Sequence, residues 1–190
     1  MKKVIEIRWH GRGGQGAVTA SKLLATAALA EDKYFQAFPE YGPERMGAPI
    51  QSYTRISDTP IKIHCHVLNP DMVAVLDSTL IDSINITQGL MDNGIIVVNT
   101  DESPEKIREK LHLKGKKVFT VDASKIASEE LGRPMPNTPM IGALIKATGL
   151  LKLDNVIDDI KSNFAGKFSE KIIAGNVKAI KRAYQEVKSE

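Results

Sequence analysis

Residues 4–16 decide the fold: they read Val4-Ile5-Glu6-Ile7-Arg8-Trp9, followed at once by His10-Gly11-Arg12-Gly13-Gly14-Gln15-Gly16. Residues 4–9 are rich in β-branched side chains, and apolar and polar residues alternate weakly along them, which predicts a strand. Residues 17–30 are rich in Ala and Leu, which predicts a helix with one apolar face. The glycines therefore lie between a strand and a helix, and an α/β fold follows.

Short apolar runs farther along the chain alternate with helical stretches. Strands are expected at residues 72–76, 94–99 and 117–122, and helices at residues 81–90, 104–111 and 123–131. Such alternation is typical of parallel strands covered by helices. Beyond Pro139 the chain is expected to be helical, with helices at residues 140–148, 153–164 and 169–187.

The segment between the first helix and residue 72 predicts antiparallel pairing. Residues 34–38 form a strand that Pro39 stops, and residues 51–56 and 61–66 form a hairpin around Ser57-Asp58-Thr59-Pro60. The sheet should then be mixed. We expect one domain over residues 1–190, a three-layer α/β/α fold with a mostly parallel mixed sheet and a helical region over residues 140–190.

Composition excludes several classes of protein. The chain has 190 residues and a net charge of +3, with Lys and Arg interleaved among Asp and Glu, which argues against a nucleic-acid surface. No apolar run is long enough to cross a membrane, and the first residues resemble a strand more than a signal peptide, so a cytoplasmic protein is expected. Cys65, the single cysteine, cannot by itself hold an iron–sulfur cluster.

The glycine turn has the spacing Gly-x-Gly-x-x-Gly. Glycines permit positive φ and close approach of a ligand, and the free amides at a helix start favour phosphate groups. Arg12 could add a charge contact. Three alternatives remain open: the glycines could merely make a tight turn, the chain could be a nucleotide-binding module, or it could be a stand-alone Rossmann-type oxidoreductase using a dinucleotide. Glu40 is only an approximate match to the acidic residue that a Rossmann fold uses for the ribose.

Other polar residues carry weaker signals. His64 and His66 share one face of the expected strand, Cys65 faces away, and no third metal ligand is evident, so no metal site is expected. His10 could contact a phosphate or hold the turn. No nucleophile–base pair is visible, and we therefore name no catalytic residue. The apolar stripe of the last helix could pack on its own domain or on a partner; its members are Ile173, Val177, Ile180, Tyr184 and Val187.

Three blocks of sequence together carry a resemblance to a known family. They are Trp9-His10-Gly11-Arg12-Gly13-Gly14-Gln15-Gly16-Ala17, then Gln36-Ala37-Phe38-Pro39-Glu40-Tyr41-Gly42-Pro43-Glu44-Arg45-Met46-Gly47-Ala48-Pro49, then Pro136-Asn137-Thr138-Pro139-Met140-Ile141-Gly142-Ala143. In this order they resemble the gamma subunit of 2-oxoacid:ferredoxin oxidoreductases, and the pyruvate-type members most closely.

The resemblance implies a subunit that is silent alone and works with alpha, beta and delta subunits or their fused equivalents. Those partners would hold thiamine diphosphate and [4Fe-4S] clusters and pass electrons to ferredoxin, which this chain would meet only indirectly. The complex would turn a 2-oxoacid and coenzyme A into acyl-CoA and CO2. This subunit would form a wall of the coenzyme A site, with two groups of residues facing it: Gly11, Arg12, Gly13, Gly14, Gln15 and Gly16, and then Glu44, Arg45 and Met46.

Overall fold

A seven-stranded mixed sheet organises the chain, which a computed structural model describes at residues 4–40 and 47–190. The strand order is β2-β3-β1-β4-β5-β6-β7. The strands are β1 Ile5–Arg12, β2 Tyr34–Glu40, β3 Pro49–Ser57, β4 Met72–Val75, β5 Ile95–Asn99, β6 Lys117–Val121 and β7 Lys188–Ser189. The helices are α1 Ala17–Ala27, α2 Pro104–Lys110, α3 Ala123–Leu131, α4 Asn137–Thr148, α5 Leu153–Phe164 and α6 Glu170–Glu186.

The sheet is covered on both faces, which confirms the three-layer α/β fold. Strands β1, β4, β5 and β6 are parallel neighbours, whereas β3 pairs antiparallel with both β1 and β2. Because side chains alternate along a strand, Ile7 and Trp9 of β1 face the larger core under α1 and α3–α6. The smaller core on the other face lies under α2 and a 3-10 helix at Ser78–Asp82. In the part of the chain described, no helix is long and apolar enough to cross a membrane.

The predicted hairpin between residues 51–56 and 61–66 is wrong. Strand β3 is flanked by β2 and β1, so both of its edges are already paired. Residues 61–66 form no strand and are mostly exposed. Buried Arg55 instead donates to the carbonyl oxygen of Cys65 at 2.7 Å and to that of Ile63 at 3.4 Å. The Arg55 side chain thus gives this segment hydrogen bonds that a neighbouring strand would give it in a hairpin.

The helix expected at residues 81–90 is also wrong, since only the short 3-10 helix and turns occur there. Arg8 reaches from β1 into this segment and donates through Nη2 to the carbonyl oxygens of Ile86 at 3.1 Å and Gln88 at 2.6 Å. Ile86 and Leu90 are nevertheless buried. The segment fills the smaller core without a continuous helix, and Arg8 satisfies two of its backbone carbonyl groups.

Smaller differences concern where elements end. Strand β1 continues to Arg12, so Gly11 belongs to the strand. Pro39 lies within β2 and does not stop it, because β2 is an outer strand and pairs only with β3. The chain beyond α6 adds the short strand β7, which pairs with β6.

The buried face of the last helix is rotated relative to the apolar stripe that the sequence predicts. Of its members only Ile180 is fully buried, and Ile173 and Val177 stay half-buried. The buried residues of α6 are instead Gly175, Asn176, Ala179, Ile180 and Ala183. Because most of these side chains are small, α6 lies very close to α4: a Cβ atom added to Gly142 of α4 would be 2.2 Å from the carbonyl oxygen of Ile180.

Candidate functional site

The glycine turn joins β1 to α1 and leaves the start of α1 uncapped. Gly14 has φ 96° and Gly16 has φ 81°, backbone conformations that other residues rarely adopt. Gly16 precedes the helix and supplies no side-chain cap. The first-turn amides of Ala17, Val18 and Thr19 have no acceptor within the helix, and the positive end of the helix dipole lies there. This geometry suits an anion.

A second helix start meets the same turn. Helix α4 begins at Asn137, three residues earlier than predicted, and it also lacks a side-chain cap. Asn137 packs against Gly16 so closely that a Cβ atom on Gly16 would be 2.8 Å from its Nδ2 atom. The positive ends of two helices therefore converge on the turn.

Arg12 is held at the turn by an acidic residue from the end of β4. Its Nε atom lies 3.2 Å from Asp77 Oδ2, while Nη2 donates to Thr79 Oγ1 at 2.9 Å. Burial alone would raise the pKa of Asp77, but hydrogen bonds from Thr79 and Gln15 and the charge of Arg12 outweigh it and lower that pKa. Asp77 is thus ionised at neutral pH, and a phosphate would have to compete with it for Arg12.

Gln15 closes the turn with two hydrogen bonds. Its Oε1 atom accepts from the Arg12 amide at 2.8 Å, and its Nε2 atom donates to Asp77 Oδ2 at 2.7 Å. Gly13 pairs in both directions with the next segment: its amide donates to the Ala48 carbonyl at 3.0 Å, and its carbonyl accepts from the Gly47 amide at 3.3 Å. The turn is therefore bound to the start of β3. The predicted site residues Glu44, Arg45 and Met46 lie outside the described residues.

A cleft of about 280 Å³ opens beside the turn at the carboxyl ends of the parallel strands. Rossmann folds place their dinucleotide at this edge of the sheet. Here the lining is acidic, which disfavours a pyrophosphate; it consists of Gln15, Leu76, Asp77, Ser78, Asn99, Thr100, Asp101, Asp122 and Ser124. Glu40, the approximate ribose ligand, lies on β2 with β3 between it and β1, and it accepts from Tyr53. Both observations argue against the dinucleotide alternative.

His64 and His66, which are both exposed, are not brought together with a third metal ligand among the described residues. His66 lies with its Nδ1 atom 3.8 Å from Glu40 Oε1, on the loop that follows β3. Over residues 4–40 and 47–190, no three His, Cys, Asp or Glu side chains are grouped so that they could hold a metal ion.

His10 is buried behind the turn and is held by Arg8. It is 2% exposed, and its Nε2 atom accepts from Arg8 Nε at 3.0 Å. Burial first, and then the charge of Arg8, lower the pKa of His10 to about 3. His10 is therefore neutral and helps to fix β1 through Arg8, a structural role that differs from the expected contact with the turn.

We expect this buried histidine to make stability depend on pH. The folded pKa of about 3 lies below the ordinary value, so the unfolded chain binds the extra proton between about pH 6.5 and pH 3. As the pH is lowered through that window, His10 alone should reduce the free energy of unfolding by about 1.4 kcal/mol per pH unit. Urea unfolding at several pH values measures this slope. His10→Gln keeps an acceptor for Arg8 but does not titrate, so it should lose this part of the slope; equal slopes would contradict the assignment.

Sequence reasoning missed Asp77 and the role of Asn137. Asp77 lies two residues after β4, and the expected parallel arrangement of the strands was the signal that could have placed it beside the turn. In the sequence, Asn137 is only one member of the third block of the family resemblance. Its contact with Gly16 joins residues far apart in sequence, and no local pattern records it.

Comparison with known proteins gives consistent matches over almost the whole chain. Residues 6–186 match the family model for pyruvate ferredoxin/flavodoxin oxidoreductase. The pyruvate/ketoisovalerate oxidoreductases common subunit gamma of Pyrococcus furiosus is 50% identical over 182 residues, which are 96% of each chain. The crystal structure of pyruvate oxidoreductase subunit PORC from Thermotoga maritima is 46% identical with a TM-score of 0.88, covering 100% of this chain and 99% of that one.

A more distant match shows the fold alone. It is 2-oxoglutarate:ferredoxin oxidoreductase from Magnetococcus marinus, solved with 2-oxoglutarate, coenzyme A and succinyl-CoA bound. The TM-score is 0.75 at 20% identity, and the match covers 97% of this chain and 31% of that chain.

Proposed function

The chain belongs to the pyruvate ferredoxin/flavodoxin oxidoreductase family as a gamma-type subunit, and from this premise we propose that its glycine turn forms a wall of the coenzyme A site of the complex. The resemblance drawn from the three sequence blocks is confirmed. The chain is thus a subunit of an oxidoreductase complex. In our proposal its contribution to the reaction is binding.

One observation supports the proposal above the others: the glycine turn, exposed at Gly14, leads directly into the uncapped start of α1. Coenzyme A carries a pyrophosphate and a 3′-phosphate, and amides at the start of α1 offer donors for such groups. Gly16 brings Asn137 and the start of α4 to the same place. The enzyme from Magnetococcus marinus, which has this fold in part of its chain, was solved with coenzyme A bound.

The charges around the turn favour phosphate binding on only one of its sides. The carboxylates of Asp77, Asp101 and Asp122 line the cleft over the parallel strands and would repel a phosphate there. We therefore place the phosphates at the exposed tip near Gly14, on the side of Gly47. The proposal also includes Glu44, Arg45 and Met46, on the strength of the family resemblance; in the chain they directly precede Gly47, whose amide donates to Gly13.

The remaining chemistry belongs to other subunits in this proposal. Alpha, beta and delta subunits would hold thiamine diphosphate and the [4Fe-4S] clusters, since four thiolates are usual for such a cluster and this chain has one cysteine. The 2-oxoacid would lose CO2 on those subunits, two electrons would leave singly to ferredoxin, and the acyl group would pass to the coenzyme A thiol. The isolated gamma chain is then expected to have no turnover.

We expect Gly14→Asp to raise the KM of the complex for coenzyme A about tenfold. Gly14 is exposed, and a Cβ atom there would meet nothing within 4 Å, so beyond the backbone strain at φ 96° the substitution adds only a negative charge at the tip. Repulsion of about 1.4 kcal/mol between that charge and the phosphates corresponds to tenfold. Steady-state kinetics of the purified complex, with coenzyme A and pyruvate varied separately, measures both KM values.

Gly14→Asn is the matched control. Asn has nearly the same shape and tolerates positive φ as well as Asp does, but it adds no charge. It should change the KM for coenzyme A less than threefold, and neither variant should change the KM for pyruvate. Equal effects of Asp and Asn, or a parallel rise in the KM for pyruvate, would refute the coenzyme A wall.

A further inference from the structure

The start of α6 carries an apolar surface, which we call the α6 shoulder and define by Phe168, Ile172, Ile173, Ala174 and Val177. Phe168 is 45% exposed and Ile172 is 40% exposed, and both line the same depression, so they form a contiguous patch and not single exposed side chains. Ile173 and Val177 are half-buried because the small residues of α6 occupy its contact with α4.

Concave surface lies on both sides of the shoulder. A groove of about 390 Å³ between α5 and α6 is lined by Lys161, Glu170, Ile173, Ala174, Val177 and Lys178. On the other side, a depression of about 730 Å³ lies beside the end of α3 and the start of α6, and Leu131, Phe168 and Ile172 supply its apolar lining. The shoulder is therefore a ridge between two depressions, a shape that accepts apolar side chains from a packed partner.

The rim of the shoulder is basic. Lys167, Lys171 and Lys178 are exposed, and in the described part of the chain none of them forms an ion pair. The nearby carboxylates of Glu129 and Glu130 are already bound to Arg182, at 2.9 and 2.7 Å. Glu170 is the remaining acid in the groove. An apolar patch with this rim complements apolar residues flanked by Asp or Glu.

We propose that the α6 shoulder docks an acidic amphipathic helix of another subunit of the complex. Family membership supplies the partner, since a gamma subunit works in an assembly. A second copy of this chain is a poor occupant because it would bring two lysine rims together. Ile173 and Val177 are four residues apart on one helix face, the spacing that a partner helix meets with its own ridge of side chains. The inference does not depend on the coenzyme A proposal.

Ala174→Glu in the purified complex tests the docking. Ala174 is exposed, and a Glu there can pair with Lys178 one turn away, so the isolated chain should keep its melting temperature. The carboxylate would enter the groove and repel an acidic partner. We expect the dissociation constant of this subunit from the rest of the complex to rise at least tenfold, measured by sedimentation or by subunit exchange.

Gln185→Glu is the matched control on the same helix. Gln185 is exposed, lies one turn from Lys181 and is outside the shoulder, so assembly should change less than twofold. Unchanged assembly of Ala174→Glu, with a normally folded chain, would overturn the proposal.

Zero-length carbodiimide cross-linking of the unaltered complex gives a second readout. Lys167, Lys171 or Lys178 should link to Asp or Glu of one partner subunit, and mass spectrometry identifies the pair. No such link from any of the three lysines, or links only to a second copy of this chain, would also overturn the proposal. Neither readout uses coenzyme A, so a failure here leaves the glycine-turn hypothesis to its own test.

Discussion

Replacing Gly142 by Ala should destabilise the chain by about 3 kcal/mol or more, although alanine is the better helix former by about 1 kcal/mol. The added Cβ atom would lie 2.2 Å from the carbonyl oxygen of Ile180 and 3.0 Å from its carbonyl carbon. These are backbone atoms, so no rotation of a side chain can relieve the collision, and α4 and α6 must move apart. Urea unfolding of the isolated chain measures the loss.

Gly149→Ala is the matched control for this prediction. Gly149 ends the same helix with φ 63°, and a Cβ atom there would meet nothing within 4 Å. It should therefore cost only the backbone strain, about 1–2 kcal/mol. Ile180→Val should not rescue Gly142→Ala, because the collision involves the backbone of residue 180. A stability for Gly142→Ala at or above that of the unaltered chain would show that the two helices have room to adjust.

Replacing Gly16 by Ala should damage both stability and function. The positive φ of 81° costs about 1–2 kcal/mol for alanine, and the Cβ atom would lie 2.8 Å from Asn137 Nδ2 and 3.0 Å from Asn137 Cβ. Separation of α1 from α4 would displace the amides at the turn. We expect about a hundredfold loss of kcat/KM for coenzyme A in the complex, since a shift of about 1 Å in a binding group can have that effect.

Two further variants distinguish the backbone strain in Gly16→Ala from the collision of its Cβ atom with Asn137. Gly14→Ala also has positive φ but meets no neighbour, so it should lose far less activity. Gly16→Ala combined with Asn137→Gly removes the obstructing side chain and should recover the steric part of the loss. If Gly14→Ala and Gly16→Ala were equally impaired, backbone strain alone would account for both, and the contact with Asn137 would have no role.

Local patterns predicted the parallel half of the sheet well. The runs at residues 72–76, 94–99 and 117–122 became β4, β5 and β6 because strands buried on both faces need nearly continuous apolar sequence. The pairing of β3 could not be predicted in this way. A run of strand formers shows that a strand exists, but the choice between a hairpin neighbour and β1 depends on contacts distant in sequence.

The candidate site was predicted in part, and the missing part has a physical reason. The glycine turn was visible because its spacing constrains the backbone directly. Whether Arg12 is available to a ligand depends on Asp77, which the fold brings to it across 65 residues of sequence. Arg8 shows the same limit of local patterns. Its buried side chain on β1 binds the backbone of residues 86 and 88, within the segment where the sequence predicts a helix at residues 81–90.

Pro39 has a consequence for the chain before it meets its partners. Outer strands expose unpaired backbone groups that recruit strands from other molecules and start aggregation. In β2, Pro39 lacks an amide hydrogen, and Glu40 places a carboxylate beside it at the end of the strand. Both features are known deterrents to strand addition. A newly made subunit waiting for assembly is thereby protected along this edge from growing into intermolecular sheets.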